Sequence, residues 1–211
     1  MNPKKQYYEN AANTILRNLE KRQMKGFYCA DVESAVKKLR EIIPEGSSIG
    51  WGGSMTLNET GIMSVVCDGT YTVLDREKAK TKEEQKKIYG EICGCDYFLM
   101  STNAITLNGE LVNVDGRGNR VSFLCFGPEH VVVVAGMNKV VTDVDEGIKR
   151  ARNMAAPPNA VRLNRSTPCT VSGKCADCLA PDSICSQTVI TRRSHVPERI
   201  IVILVGEELG Y

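Results

Sequence analysis

Two uninterrupted apolar runs, VVVVAG at 131–136 and IIVILVG at 200–206, constrain this chain more than any other feature. A strand with one wet face alternates apolar and polar side chains, whereas a strand apolar at every position needs cover on both faces. Helices crossing over a parallel sheet give that cover, and the rest of the sequence supplies them. Residues 1–26 read as a helix, with Tyr8, Ala12, Ile15, Leu16, Leu19 and Met24 at helical spacing and Gly26 as the stop. FYCA (27–30) is a strand. Asp31 then caps a helix striped by Val32, Ala35, Val36, Leu39, Ile42 and Ile43, ended by Pro44 and Gly46. SSIGW (47–51), YTVL (71–74), DYFLM (96–100) and VSFLCF (121–126) read as further strands. Helices are expected around 57–65, over Glu77–Glu91, and from an Asp143 cap to a stop at Pro157-Pro158. The alternation predicts the α/β class: an open, mostly parallel sheet with helices on both faces. It is expected to form a single domain over 1–211, with a Cys-rich loop at 166–186.

Charge and hydropathy narrow the partners. The net charge of +2 over 211 residues gives no field for a polyanion, so no nucleic acid is expected. No run of eighteen apolar residues exists, so no membrane span is expected. The N-terminal stretch is polar and lacks the apolar core of a signal peptide, so a cytoplasmic location, where thiols stay reduced, is expected. A two-fold homodimer is the expected assembly on general frequency.

Nine cysteines are present. Cys29, Cys67, Cys93, Cys95 and Cys125 lie in or beside apolar stretches and read as small buried hydrophobes. Cys169, Cys175, Cys178 and Cys185 differ, falling as C-x5-C-x2-C-x6-C in a segment broken by Pro168, Gly173 and Pro181. Four soft thiolates at one turn-rich locus select zinc or an iron–sulfur cluster. A zinc ribbon usually presents two C-x2-C knuckles, and here Cys175 and Cys178 form the one such pair. The spacing also looks like the reverse of the loop in iron–sulfur DNA glycosylases. A [4Fe–4S] cluster is therefore favoured, with zinc as the alternative.

Two further segments carry anion-binding chemistry. GWGGSMTL (50–57) joins a strand to a helix. Gly52 and Gly53 free the backbone, and Ser54 adds a hydroxyl, at the strand end where open sheets bind ligands. The same glycines also suit a plain tight turn. STNAITLNGELVNVDGRGNRV (101–121) contains Asn103, Asn113, Asp115, Arg117, Asn119 and Arg120. Two guanidiniums among amides suit a carboxylate or phosphate, a small anionic ligand in either case. Asn108-Gly109 within it reads as a type I′ hairpin turn. Arg162 and Arg165, just before the cysteine loop, are placed to neutralise a thiolate cluster or a ligand. His130 and His195 have no partner at triad or metal spacing and read as ordinary residues.

The segments GGSMTLNETG, STNAITLNGELVNVDGRGNRV, GMNKVV and RNMAAPPNAVRL, followed by TPC…GKCADC…C, resemble the LUD-domain family, the bacterial lactate-utilisation proteins. The resemblance spans about residues 5–205. It implies a fold similar to the ribose-5-phosphate isomerase and coenzyme A transferase group. It also implies a role as an accessory or redox subunit in oxidising lactate to pyruvate, beside iron–sulfur partner subunits. The chain lacks the ferredoxin-like C-x2-C-x2-C-x3-C-P repeats of the larger electron-transfer subunits. A second reading therefore stands beside the first: a stand-alone isomerase- or transferase-type enzyme or binder. It would grip a small phosphorylated or carboxylated ligand, with a structural metal.

Overall fold

The computed structural model describes residues 2–211. In chain order the elements are α1 (Pro3–Lys21), β1 (Lys25–Cys29), α2 (Val32–Ile42), β2 (Ser48–Trp51), α3 (Met55–Glu59), α4 (Ile62–Val66) and β3 (Thr72–Leu74). Then come α5 (Lys82–Cys93), β4 (Tyr97–Met100), β5 (Ala104–Thr106), β6 (Leu111–Asp115), α6 (Asn119–Cys125) and β7 (His130–Gly136). The chain ends with β8 (Val140–Val141), α7 (Val144–Arg150), α8 (Ala156–Arg162), α9 (Pro168–Ser172), β9 (Gln187–Thr191) and β10 (Ile200–Val205).

The main sheet is parallel throughout, in the order β1-β10-β7-β4-β2-β3. The two apolar runs are neighbouring central strands, Val202 opposite Val133. Val131 to Ala135 and Val202 to Val205 are all fully buried. The cause is cover on both faces. Val131, Val133, Val202 and Leu204 pack on Ala12, Ile15 and Leu19 of α1, Ile92 of α5 and Phe123 of α6. Val132, Val134, Ile201 and Ile203 pack on Ala35 and Leu39 of α2 and on Leu57, Ile62 and Val66 of α3 and α4. Local signals agree with this packing: Asp31 caps α2 by accepting from the Ser34 N–H at 2.8 Å.

A second sheet, β8-β5-β6-β9, rests against α7. β6 pairs antiparallel with both β5 and β9. The approach of α7 is close: a Cβ on Gly147 would sit 2.8 Å from Val112 Cγ2.

Four local expectations are corrected. VSFLCF is not a strand but most of α6, because a six-residue apolar run fits either period. Val121 and Leu124 face inward while Ser122 and Cys125 face out. The helix from Asp143 does not stop at Pro157-Pro158. A π-helical turn, Ala151–Ala155, carries it into α8, where the prolines occupy the first turn and no N–H is required of them. The Asn108-Gly109 turn is not type I′, since only Gly109 has positive φ; Gly109 N–H donates to Thr106 O in a three-residue loop. Finally, Cys67 and Cys125 are exposed rather than buried, each lying at the outer end of a short helix.

Candidate functional site

The carboxyl ends of β2, β4 and β7 open toward the second sheet, and a cavity of about 250 Å³ lies between them. Gly53, Ser54 and Thr56 enter after β2, Ser101 to Asn103 after β4, and Lys139 after β7. The turn after β6 adds Asp115, Arg117, Asn119 and Arg120; the π-helical turn and α8 add Ala155, Ala156 and Arg162. Arg76 and Tyr211 complete the rim. The near-neutral chain thus concentrates Arg76, Arg117, Arg120, Lys139 and Arg162 around one acid, Asp115. A cavity so lined attracts anions.

Seven of the nine residues expected to bind a ligand line this cavity: Gly53, Ser54, Asn103, Asp115, Arg117, Asn119 and Arg120. Gly52 and Asn113 support it from behind. A Cβ on Gly52 would lie 3.2 Å from Arg120 Cγ, so the missing side chain lets the arginine pass. Asn113 is fully buried and accepts from Arg120 Nη1 at 2.7 Å, while its own amide nitrogen has no partner.

Arg120 does not play the part expected of it. A guanidinium has five N–H groups. Nε donates to Asp115 Oδ2, Nη1 to Ser101 O and Asn113 Oδ1, and Nη2 to Asn103 Oδ1 and Val114 O. None is left for a ligand, and burial pulls the pKa below its ordinary value. Arg120 is a post that holds the loops after β4 and β6 together. Arg117 is exposed and makes no hydrogen bond or ion pair among the described residues.

Sequence reasoning missed Lys139 and read Arg150 as an ordinary basic residue of a helix C-terminus. Arg150 is buried at the end of α7 and donates from Nε to Asn138 O at 2.9 Å and from Nη1 to Asn103 O. Burial holds its pKa down to about 10. Lys139 lies in a tight turn after β7, 4% exposed, and donates to Thr56 Oγ1 at 2.8 Å and Ser101 Oγ at 3.0 Å. Burial, then the charges of Arg150 and Arg120, lower its pKa to about 7. The one available signal was its position just past a continuous buried strand.

The four loop cysteines line a second cavity, of about 150 Å³. All nine cysteines are free thiols. Among the described residues no group of three or more His, Cys, Asp or Glu is gathered so that it could hold a metal ion. The thiols do sense one another: partial burial, then Cys175, Cys169 and Cys178, push the Cys185 thiol above its ordinary value. Arg165 does not neutralise them; it pairs with Asp182 at 2.9 Å, and Ser166 N–H donates to the same carboxylate. Arg152 reaches Cys175 Sγ at 3.5 Å and pairs with Asp177. Val114, Ala156 and Ile184 line both cavities and form the wall between them. His130 stacks on Tyr97 with ring centroids 5.0 Å apart and belongs to neither cavity, nor does His195.

No helix among the described residues is long and apolar enough to cross a membrane. The sequence matches the family model described as LUD domain over residues 12–205. Its fold is similar to that of a DUF162 family protein from Deinococcus radiodurans, at 12% identity and a TM-score of 0.54, covering 94% of this chain and 97% of that one. A weaker likeness is to eIF2B delta from Chaetomium thermophilum, at 16% identity and a TM-score of 0.37, covering 56% and 51%. No curated protein matches the chain.

Proposed function

The chain belongs to the LUD-domain family, which is of the lactate-utilisation type, and on that premise we propose an accessory redox role in converting lactate to pyruvate. In this reading the cationic cavity binds the small carboxylate and the cysteine loop bears an iron–sulfur cluster. One observation carries it: the anion cavity and the thiol-lined cavity share Val114, Ala156 and Ile184 as a common wall.

The size and charge of the first cavity support a compact anion. Its volume of about 250 Å³ falls below the roughly 300–1,000 Å³ of sites for drug-sized ligands. Arg117 offers a guanidinium fork to a carboxylate, and Arg162, whose Nε and Nη2 donate to Asn159 Oδ1, adds positive charge at the rim. Asn103 is held by Arg120 through its oxygen, which leaves its amide N–H groups for a hydroxyl or carbonyl oxygen on the ligand. Ser54 is tied to α3, accepting from Leu57 N–H at 3.3 Å, and presents its hydroxyl from a fixed position.

Cys169, Cys175, Cys178 and Cys185 would hold the cluster, which when bound supplies one-electron transfer. Zinc draws four thiolates to about 2.3 Å from one point. The four cysteines line one cavity, and their C-x5-C-x2-C-x6-C order, with a single C-x2-C pair, supports a cluster over a two-knuckle zinc site. Val171 and Leu179 stand exposed on the same loop, apolar surface of the kind a partner subunit covers.

Anaerobic purification with iron and sulfide quantitation, followed by titration with lactate and pyruvate, tests the proposal. Iron and sulfide in comparable amounts, together with binding of both carboxylates, are expected. Zinc without iron, and stabilisation by sugar phosphates but not by lactate or pyruvate, would replace this reading with the phosphate-binding one.

A further inference from the structure

The anion-binding role leaves Lys139 unexplained. Anions are drawn by exposed arginines, yet this amine is sealed to 4% exposure while still forming part of the cavity wall. Among the described residues no carboxylate pairs with it. The charged groups that bear on it are Arg150 from α7, Arg120 from α6 and, more weakly, Glu59 from α3. Glu59 is engaged elsewhere, accepting from Gly210 N–H at 2.6 Å.

The two contacts of Lys139 define its chemistry. Thr56 Oγ1 and Ser101 Oγ accept from Nζ at 2.8 and 3.0 Å. An ammonium in this place has a third N–H with no partner. A neutral amine has two N–H groups and one lone pair, so the two hydroxyls satisfy it fully and the lone pair is left unengaged. Removal from water and cationic neighbours are the conditions that turn a lysine into a nucleophile toward carbonyl carbon. The pKa of about 7 agrees with that geometry.

We propose that Lys139 is a carbonyl-capturing amine that forms a reversible imine with a small 2-oxo acid seated in the cationic cavity. The inference rests on the anion-binding reading of the cavity and adds covalent chemistry to it. The Nζ lone pair attacks the 2-oxo carbon, a C–N bond forms, and the carbonyl oxygen takes up a proton. The carbon–oxygen bond then breaks. The two amine hydrogens leave with that oxygen as water, and C=N remains. Thr56 and Ser101, whose hydroxyls donate to Leu209 O and Thr102 O and accept from Nζ, fix the direction of the amine. The arginines around the cavity hold the carboxylate.

Borohydride trapping tests this on the whole protein. Wild-type protein is incubated with pyruvate near pH 7, reduced with sodium borohydride, digested and mapped by mass spectrometry. The expected result is a reduced adduct on the Lys139 peptide, suppressed by excess lactate, which occupies the cavity but has a hydroxyl in place of the 2-oxo group. The adduct should be lost in Lys139→Arg. Should that variant fail to fold, the wild-type map still identifies the modified residue. Thermal shifts with lactate and pyruvate read binding separately. If both ligands bind and no adduct forms at Lys139, or adducts fall only on exposed lysines, the imine is refuted and the anion cavity stands. If neither ligand binds and no adduct forms, both readings fall.

Discussion

Arg120 and Asp115 form an ion pair at 3.2 Å with side chains only 15% and 10% exposed. Breaking a buried pair by removing one partner costs about 3–5 kcal/mol, because the other charge stays buried and alone. Arg120→Ala should lose stability on that scale in urea denaturation. Arg120→Lys should recover little of it, since an ammonium cannot serve five acceptors arranged for a planar fork. A full loss of ligand affinity with unchanged stability would show that Arg120 faces the ligand after all.

Arg117→Ala should behave in the opposite way. The side chain is exposed and has no protein partner among the described contacts, so stability should stay within about 0.5 kcal/mol of wild type. A charge-assisted hydrogen bond is worth about 1.5–3 kcal/mol, so affinity for lactate should fall roughly ten- to a hundredfold. Isothermal titration of the two arginine variants separates post from grip.

Cys178→Ser and Cys67→Ser make a matched pair for the loop. Cys178 lines the thiol cavity, whereas Cys67 is exposed at the end of α4 and distant from it in sequence. Iron and sulfide per chain should drop sharply in the first and stay at the wild-type level in the second. Equal iron content in both would remove the loop from consideration as the cluster site.

What the sequence revealed follows from how local each cause is. The strands β7 and β10 were legible because cover on both faces erases alternation within the run itself, at Val131 to Ala135 and Ile200 to Val205. The strand β9 was not, because Gln187, Thr188 and Ile190 are exposed and its partner β6 lies some seventy residues back in the chain. The turn around Arg117 announced itself through glycine and asparagine, yet nothing nearby said that Arg120 would be consumed by Asp115, Asn113 and Asn103. Lys139 is the extreme case. Its burial and both its hydrogen-bond partners come from Thr56 and Ser101, 83 and 38 residues away. In GMNKVV it looks like any other lysine.

That buried lysine also sets a pH dependence with a defined sign. Its pKa is 10.5 in the absence of the fold and about 7 within it. Between those values the unfolded chain binds a proton that the folded chain does not. Stability therefore rises with pH across that window, and the penalty of burying the charge is full below pH 7 and gone above 10.5. At 1.36 kcal/mol per pKa unit, the gap corresponds to an upper bound of about 5 kcal/mol. Lys139→Met replaces the amine with an apolar chain of similar length and should flatten the slope, while removing the borohydride adduct. Chemical denaturation of wild type and variant at pH 7, 8 and 9 reads the difference directly. Parallel curves would mean that Lys139 is charged in the folded protein, and a charged amine has no lone pair with which to capture a carbonyl.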